Sequence, residues 1–179
     1  MHDVFVDMDE IIPGLWLGSD STEYKEAKKI LDKNNVKQII QLREKEGFNP
    51  YPHSGIKYFN ICIEDDESEN IYPYFLPCIL MIQKTLFSSE SILIHCHAGI
   101  SRSASIVIAF LLYTTRRNDC PAVNTVKHAI EKIQSAGRTV EPNSAFLSQL
   151  ESFSTLCQTL AYLPLSLDCV SHIIMEYLF

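Results

Sequence analysis

Apolar residues along this chain follow two patterns, short runs and longer segments with helical spacing. The short runs predict four strands, at Gly14–Gly18, Val36–Leu42, Tyr58–Ile63 and Ile92–His95. The last of these contains three consecutive apolar residues, which is typical of a strand that is buried on both faces. Strands that alternate with helices along a chain predict an α/β layer fold.

Helical spacing of the apolar residues predicts the other elements. A helix that is apolar almost all round is expected at Ser101–Tyr113, and such a helix should lie at the centre of the fold. The other predicted helices follow Pro73, lie between Pro121 and Gly137, run from an N-cap at Asn143 or Ser144 to Leu160, and occupy Val170–Leu178 after Asp168.

Composition places the chain among ordinary globular proteins. Of its 179 residues, 46% are hydrophobic and 21% are charged, which fits a single domain with its own core. The 15 basic and 22 acidic residues give a formal net charge of −7. Because proteins that bind nucleic acid are usually basic, we expect no nucleic-acid partner.

The cysteines are expected to be free thiols in a reducing compartment. The acidic N-terminus has no secretory signal pattern, and no pair of cysteines has the C-x2-C spacing of a zinc site. The longest apolar run, Ile106–Tyr113, is too short to cross a bilayer, so no membrane partner is expected. These features favour the cytoplasm, with the nucleus as a second location. The six cysteines are Cys62, Cys78, Cys96, Cys120, Cys157 and Cys169.

The segment His95–Ser103, with the sequence HCHAGISRS, carries the most specific chemical signal. It joins a predicted buried strand to a predicted buried helix, so its backbone N–H groups and the helix dipole should converge on one point. Such a loop is a cradle for an anion. Cys96 stands at the start of this loop, where the N–H groups and Arg102 favour the thiolate, the nucleophilic form of cysteine.

The spacing of the other loop residues fits the handling of a phosphate. Arg102 follows Cys96 after five residues, and its planar guanidinium can hold two phosphate oxygens at once. Gly99 lets the backbone turn tightly, and Ser103 can donate a hydrogen bond to the thiolate that leaves a phosphocysteine. The pattern H-C-x-x-G-x-x-R-S should arise by chance in roughly one chain of this size in a hundred thousand. It resembles the signature of the cysteine-dependent phosphatases.

The resemblance extends over residues 10–155 and is strongest to the small, atypical dual-specificity protein phosphatases. Ile12–Ser19 (IPGLWLGS) looks like the opening of these domains, and Arg138–Leu150 (RTVEPNSAFLSQL) looks like their closing segment. The family implies an α/β fold whose central mixed, mainly parallel sheet is flanked by helices. Residues 156–179 would then form a C-terminal helical extension. The resemblance also implies that Arg138 lies near the pocket rim, where it could hold a second phosphate or an acidic substrate.

The resemblance further implies a general acid within the acidic loop Glu64–Glu67. In this family the acid precedes a short loop and a helix that opens with an aromatic pair. Counting back from Tyr74–Phe75 gives Asp65, and Asp66 is the alternative. The acid would protonate the leaving oxygen in the first step and take a proton from water in the second.

The interior of the loop, residues 97–101, narrows the choice of substrate. His97, Ala98, Gly99, Ile100 and Ser101 include no lysine, unlike the loops of tensin-type phosphoinositide phosphatases. We expect these five residues, with Arg102, to bind the phosphate of phosphorylated proteins, carried on Tyr, Ser or Thr. Two alternatives stay open: a phosphoprotein-binding module that does no chemistry, and a phosphatase for a phosphoinositide or an RNA 5′ end.

The remaining candidates are expected to support the loop. His95 and Asn143 should orient it by hydrogen bonds. Because His95, Cys96 and His97 are contiguous, they could not easily wrap one zinc ion, and neither a metal nor another cofactor is expected. Cys62 is expected to pack in the core, with a disulfide to Cys96 under oxidation as the alternative.

Overall fold

The structure is a computed structural model that describes residues 6–45, 48–115 and 125–161. For residues 160 and 161 only the backbone is described. The predicted helix at Val170–Leu178 lies outside the described residues, and so do Pro121 and Val123 at the expected entry to an earlier helix. Within the described ranges, no helix combines the length and the apolar character that crossing a bilayer requires.

A sheet of five strands forms the centre of the described part of the chain. β1 pairs antiparallel with β2, and all the other neighbouring strands are parallel, so the sheet is mixed and mainly parallel, as predicted. In spatial order the strands are β1 (Met8–Ile12), β2 (Leu15–Gly18), β5 (Ser91–His95), β3 (Val36–Arg43) and β4 (Lys57–Cys62).

Helices cover both faces of the sheet. The larger core lies between one face and four helices, whereas a smaller core around Leu31, Ile39 and Leu93 lies on the opposite face, beneath the remaining helix. Every residue of β5 is buried, as its apolar run predicts. The helices are α1 (Ala27–Lys33) over the smaller core, and α2 (Tyr72–Phe87), α3 (Arg102–Thr115), α4 (Val126–Ser135) and α5 (Ser144–Ala161) over the larger.

Three elements were not predicted: β1, α1 and a short 3-10 helix at Asp20–Glu23. β1 is an edge strand with the sequence MDEII, and because only one of its five residues is fully buried, it has no clear apolar pattern. It folds back onto β2 through Gly14, whose φ of +82° suits glycine. α1 has seven residues, of which only two are buried, which is too short for helical spacing to stand out.

The extent of α3 and the N-caps of α4 and α5 can be compared with the sequence predictions. α3 is buried from Arg102 to Tyr113, as its apolar sequence predicts. Of the two N-cap candidates for α5, Asn143 is the cap, because its Oδ1 accepts a hydrogen bond from the N–H of Phe146 at 2.9 Å. α4 begins at Val126 with Thr125 as its cap.

The carboxyl ends of β2, β5 and β3 meet at one edge of the sheet. Gly18 and Gln41 are both register partners of His95, the last residue of β5. In open α/β sheets, the loops that leave this edge build the ligand site. The loop that follows His95 therefore lies at the edge of the sheet where this kind of fold binds its ligands.

Candidate active site

The loop between β5 and α3 turns its carbonyl oxygens away from its own centre. In chain order, the carbonyls of residues 97–100 accept hydrogen bonds from Asp20 N, from Arg138 Nη2, from Arg138 Nε and from Glu141 N, at 2.9–3.2 Å. The N–H and C=O of a trans peptide point in opposite directions. The N–H groups of residues 98–101 therefore face the inside of the loop, as an anion cradle requires.

Cys96 lies at the base of this cradle and is only 3% exposed. Its Sγ accepts a hydrogen bond from Gly99 N at 3.2 Å and another from Ser103 Oγ at 3.1 Å. Both donors stabilise a negatively charged sulfur. Gly99 has a φ of +70°, and a Cβ there would collide with the backbone of Gly18 and the guanidinium of Arg138, so only glycine fits this turn.

Arg102 is the first residue of α3, and its side chain is 5% exposed. Its Nη1 donates to the carbonyl of Ile63 at 3.2 Å, which fixes the guanidinium beside Cys96. Among the described residues, its Nε has no hydrogen-bond partner. Asp65 Oδ2 lies 3.8 Å from this Nε. Since a buried N–H group is costly to leave unpaired, Arg102 is suited to hold an oxyanion.

Asp65 is fixed at the opposite side of the loop. Its Oδ1 accepts hydrogen bonds from Ser101 Oγ at 2.6 Å and from Asn143 Nδ2 at 2.9 Å. Asp66 is held elsewhere: its Oδ1 accepts from the N–H and the hydroxyl of Ser68, and these bonds lower the pKa of its carboxyl. Asp65, and not Asp66, therefore lines the cavity beside Cys96.

Two cavities open on the loop and share Cys96, His97 and Arg102. The larger, of about 590 Å³, we call the acid-side cavity, and the smaller, of about 240 Å³, the strand-side cavity. Besides the shared residues, the acid-side cavity is lined by Asp65, Ala98, Ile100, Ser101, Glu141, Pro142, Asn143 and Ser144. The strand-side cavity is lined by Asp20, Glu23, Leu42, Arg43, Glu44, Lys45 and His95.

The two histidines of the loop have different environments. His95 is 1% exposed, and burial lowers its pKa to about 4, so its imidazole is neutral at pH 7. Its Nε2 lies 3.4 Å from Gln41 Nε2, which is consistent with a supporting position beneath the loop. His97 instead has a side chain that is 79% exposed, and its Nδ1 lies 2.6 Å from Asp20 Oδ2.

Arg138 lies behind the loop, which differs from the rim position that the resemblance implies. It is 5% exposed, lines neither cavity and binds two loop carbonyls from outside. Its Nη1 lies 2.6 Å from Asp7 Oδ1 and 3.2 Å from Asp9 Oδ2. Because β1 was not predicted, the two carboxylates that draw this guanidinium away from the cavity could not be anticipated.

Sequence reasoning missed the polar residues at the strand-side cavity, which are Glu23 and Arg43 in its wall and the buried Gln41 behind them. Gln41 Nε2 donates to Glu23 Oε1 at 2.7 Å, and Arg43 Nη1 donates to the same carboxylate at 3.2 Å. Burial raises the pKa of Glu23 even though Arg43 acts in the opposite sense. Gln41 and Arg43 end a parallel strand beside β5, and that position was a signal that could have identified them.

Among the cysteines that the structure describes, Cys96 alone lines the two cavities. Cys62 and Cys78 are free thiols, and Cys157 is buried. Cys62 is exposed, with its Sγ 3.5 Å from the carbonyl of Glu44, so its expected place in the core was wrong. Within the described residues, no group of three or more His, Cys, Asp or Glu side chains is placed to hold a metal ion.

Comparison with known proteins identifies the family to which this fold and site belong. The family's catalytic domain matches residues 15–155, so the chain belongs to the dual specificity phosphatase family. Human dual specificity protein phosphatase 22 is 34% identical over 149 residues, which are 82% of this chain and 73% of the relative.

Other relatives differ in how much of their length the chain spans. The serine/threonine/tyrosine-interacting protein B of Xenopus laevis is 31% identical, over 84% of this chain and 66% of the relative. The protein phosphatase Slingshot of Drosophila melanogaster is 32% identical, over 69% of this chain but only 11% of its own. The crystal structure of the human tyrosine phosphatase-like serine/threonine/tyrosine-interacting protein superposes with a TM-score of 0.75 at 30% identity, covering 85% of this chain and 98% of that one.

Proposed function

We propose that this chain hydrolyses phosphate monoesters on proteins, through a covalent phosphocysteine at Cys96. The observation that carries the proposal is the pair of hydrogen bonds that Cys96 Sγ accepts from Gly99 N and Ser103 Oγ, next to the buried guanidinium of Arg102. A sulfur held in this way is a nucleophile at the base of an anion cradle. Membership of the dual specificity phosphatase family supports the same activity.

In the first step, Cys96 Sγ bonds to phosphorus and the ester P–O bond breaks. The inward N–H groups of the loop and Arg102 hold the equatorial phosphoryl oxygens as charge builds on them. Asp65 Oδ2 gives its proton to the leaving oxygen, so that a neutral alcohol or phenol departs. The two hydrogen bonds to Asp65 Oδ1 keep this carboxyl aimed into the acid-side cavity.

In the second step, water attacks the phosphorus of the phosphocysteine. Asp65, now a carboxylate, takes a proton from this water while the P–S bond breaks and inorganic phosphate forms. Ser103 Oγ, 3.1 Å from the sulfur, donates a hydrogen bond to the thiolate that leaves. The protein then returns to its starting protonation state.

The substrates that we propose are phosphotyrosine, phosphoserine and phosphothreonine in proteins. We propose that all three phosphoresidues reach Cys96 through the two cavities that open on the loop. The loop residues 97–101 contain no lysine that would hold the additional phosphates of an inositol lipid.

A second candidate function is a phosphoprotein-binding module. It is favoured by the similarity to proteins that are named as interacting with serine, threonine and tyrosine and as phosphatase-like. The presence of Cys96, Arg102 and Asp65 together in one site weighs against it, since a module that only binds has no need of a nucleophile and an acid.

Hydrolysis of para-nitrophenyl phosphate in the absence of metal tests the proposal, with the wild type and Cys96→Ser compared and vanadate as inhibitor. We expect vanadate-sensitive turnover in the wild type and none in the variant. A folded wild type that binds phosphopeptides but never turns over would support the binding module instead. A panel of phosphopeptides, phosphoinositides and RNA with a 5′ triphosphate would then rank the substrates, and we expect the peptides to be preferred.

A further inference from the structure

The acid-side cavity differs from a general phosphate-binding surface in the charge of its walls. Apart from Arg102, its charged lining residues are Asp65 and Glu141, and the other lining residues are neutral side chains and the exposed imidazole of His97. Once a phosphate is bound, the positive charge of Arg102 is committed to that phosphate. Because Asp65 enters the first step protonated, a neighbouring residue of the substrate that enters this cavity meets the carboxylate of Glu141 as its ionised partner.

Glu141 is fixed in position but keeps its charge available. Its N–H donates to the carbonyl of Ile100 at 2.9 Å. This bond attaches its backbone to the loop of residues 96–101 between β5 and α3, which we call the phosphate loop. Its side chain is exposed, and no hydrogen bond or ion pair of its carboxylate is found among the described residues. A third carboxylate lies nearby, because Ser144 Oγ at the cavity wall donates to Glu67 Oε1.

Arg138 does not offset the negative charge of the acid-side cavity. Arg138 is buried behind the loop and is neutralised by Asp7 and Asp9, so it offers nothing to a second phosphate. On the other side of Cys96, Arg43 is paired with Glu23, and Asp20 and Glu44 add further negative charge around Lys45. The acid-side cavity therefore has Arg102 as its only lining residue with a permanent positive charge, whereas the strand-side cavity also contains Arg43 and the exposed Lys45.

We infer that the acid-side cavity is a specificity subsite, and that it selects phosphorylated segments that carry a basic residue next to the phosphoresidue. Glu141 is the specificity-determining residue, and Arg102 with the inward N–H groups is the anchor that brings the neighbouring residue to it. The cavity volume of about 590 Å³ accommodates a long side chain such as Arg. The same charges discriminate against substrates with a second phosphate or acidic neighbours. This inference rests on the proposed function.

Phosphotyrosine peptides that differ only in Arg, Gln or Glu at each position flanking the phosphotyrosine test this subsite. We expect kcat/KM for the best Arg peptide to exceed that for its Glu counterpart by about fivefold, which is the upper range for one solvent-exposed ion pair. The ratio should shrink as salt is added, because salt screens exposed charges. Equal rates for the Arg and Glu peptides at every position would overturn the inference.

Matched charge variants separate Glu141 from the overall charge of the protein. Glu141→Lys should remove or invert the Arg preference, and Glu141→Gln should reduce it. Glu151→Lys makes the same change of net charge at an exposed residue of α5 that lines neither cavity, and it should leave the preference intact. An equal loss of preference in both lysine variants would assign the effect to net charge and would overturn the role of Glu141.

Binding distinguishes failure of the subsite from failure of the proposed function. If the wild type does not turn over para-nitrophenyl phosphate, the proposed activity is wrong, but the same peptides can be titrated into Cys96→Ser by fluorescence anisotropy. We then expect tighter binding of the Arg peptides, and equal Kd values for Arg and Glu peptides would overturn the subsite. Turnover of para-nitrophenyl phosphate without any peptide preference would leave the activity and remove only the subsite.

Discussion

Asn143 Nδ2 donates a hydrogen bond to Asp65 Oδ1 at 2.9 Å, across 78 residues of sequence. The same residue caps α5 through its Oδ1 and donates from its backbone N–H to Ser101 Oγ at 3.3 Å. One residue thus connects the start of a helix, the loop between β5 and α3, and Asp65, which we propose as the general acid. We assign Asn143 a positioning role, because it holds the carboxyl of Asp65 without contacting the reacting atoms.

Substitution at Asn143 should slow reactions with poor leaving groups more than reactions with good ones. A serine can still cap the helix but cannot reach Asp65 with an amide, so Asn143→Ser removes the positioning bond and keeps the cap. Because a nitrophenolate departs with little help from an acid, turnover of para-nitrophenyl phosphate should fall less than turnover of a phosphoserine peptide. Equal losses with both substrates would contradict this role.

Asn143→Ala separates stability from positioning. It removes both the cap and the amide, so thermal unfolding should show an additional destabilisation of about 1 kcal/mol relative to Asn143→Ser. The ratio of the two substrate rates should match that of Asn143→Ser, because the lost contact to Asp65 is the same in both.

The assignment of the acid to Asp65 predicts different effects for two adjacent residues. Asp65→Asn keeps the shape of the side chain but cannot supply a proton, and it should reduce kcat for a phosphoserine peptide by about a hundredfold or more. Asp66→Asn alters a carboxylate that is bound to Ser68 outside both cavities, and its kcat should stay close to that of the wild type. A large loss of kcat in Asp66→Asn with little loss in Asp65→Asn would assign the general acid to Asp66.

Ser103→Ala should slow the second chemical step. The hydroxyl lies 3.1 Å from Cys96 Sγ, and a hydrogen bond to a charged group contributes about 1.5–3 kcal/mol, which corresponds to about a 10- to 100-fold effect on the departure of the thiolate. Since the first step is less affected, the variant should release a burst of nitrophenolate before slow steady turnover. A variant that slows without a burst would show that Ser103 acts mainly in the first step.

Arg138 should matter for stability and for the shape of the loop. Burial acts to raise the pKa of Asp7, but the hydrogen bond and charge of Arg138 outweigh it and hold that pKa below 3.8. The stabilisation from this pair is therefore present above about pH 3.8 and is lost as the pH falls through the lowered pKa. Arg138→Gln should lower the free energy of unfolding by about 3 kcal/mol at neutral pH.

Denaturation with urea at several pH values measures this effect. The difference between the wild type and Arg138→Gln should narrow below pH 3.8, where Asp7 becomes protonated even in the folded wild type. Arg138→Lys keeps the charge but not the planar guanidinium, so its free energy of unfolding should lie between those of the wild type and Arg138→Gln. A difference that is constant over the whole pH range would mean that Asp7 is not the partner that matters.

The phosphate loop could be predicted from the sequence because its function depends on local order. Cys96 and Gly99 lie in the loop between β5 and α3, and Arg102 and Ser103 are the first two residues of α3, so their spacing in sequence nearly fixes their spacing in the structure. The buried strand β5 and the buried helix α3 were predicted for the same reason, since each is apolar throughout.

The surroundings of the loop could not be predicted, because they depend on contacts between distant segments. Asp7 reaches Arg138 across 131 residues, and the strand that brings it there has no clear apolar pattern. The pairing of Gln41 with Glu23, the backbone contact of Glu141 to Ile100 and the exposure of Cys62 likewise depend on the assembled sheet and not on local sequence.

The central claim is that Cys96 forms a covalent bond to phosphorus, and trapping that intermediate tests it most directly. Wild type, Ser103→Ala and Cys96→Ser would be mixed with excess phosphopeptide, quenched in acid within the first turnover and digested for mass spectrometry. We predict one phosphoryl group on the peptide that contains Cys96, more of it in Ser103→Ala than in the wild type, and none in Cys96→Ser. Rapid release of phosphate with no label on Cys96 in either active protein would contradict the account.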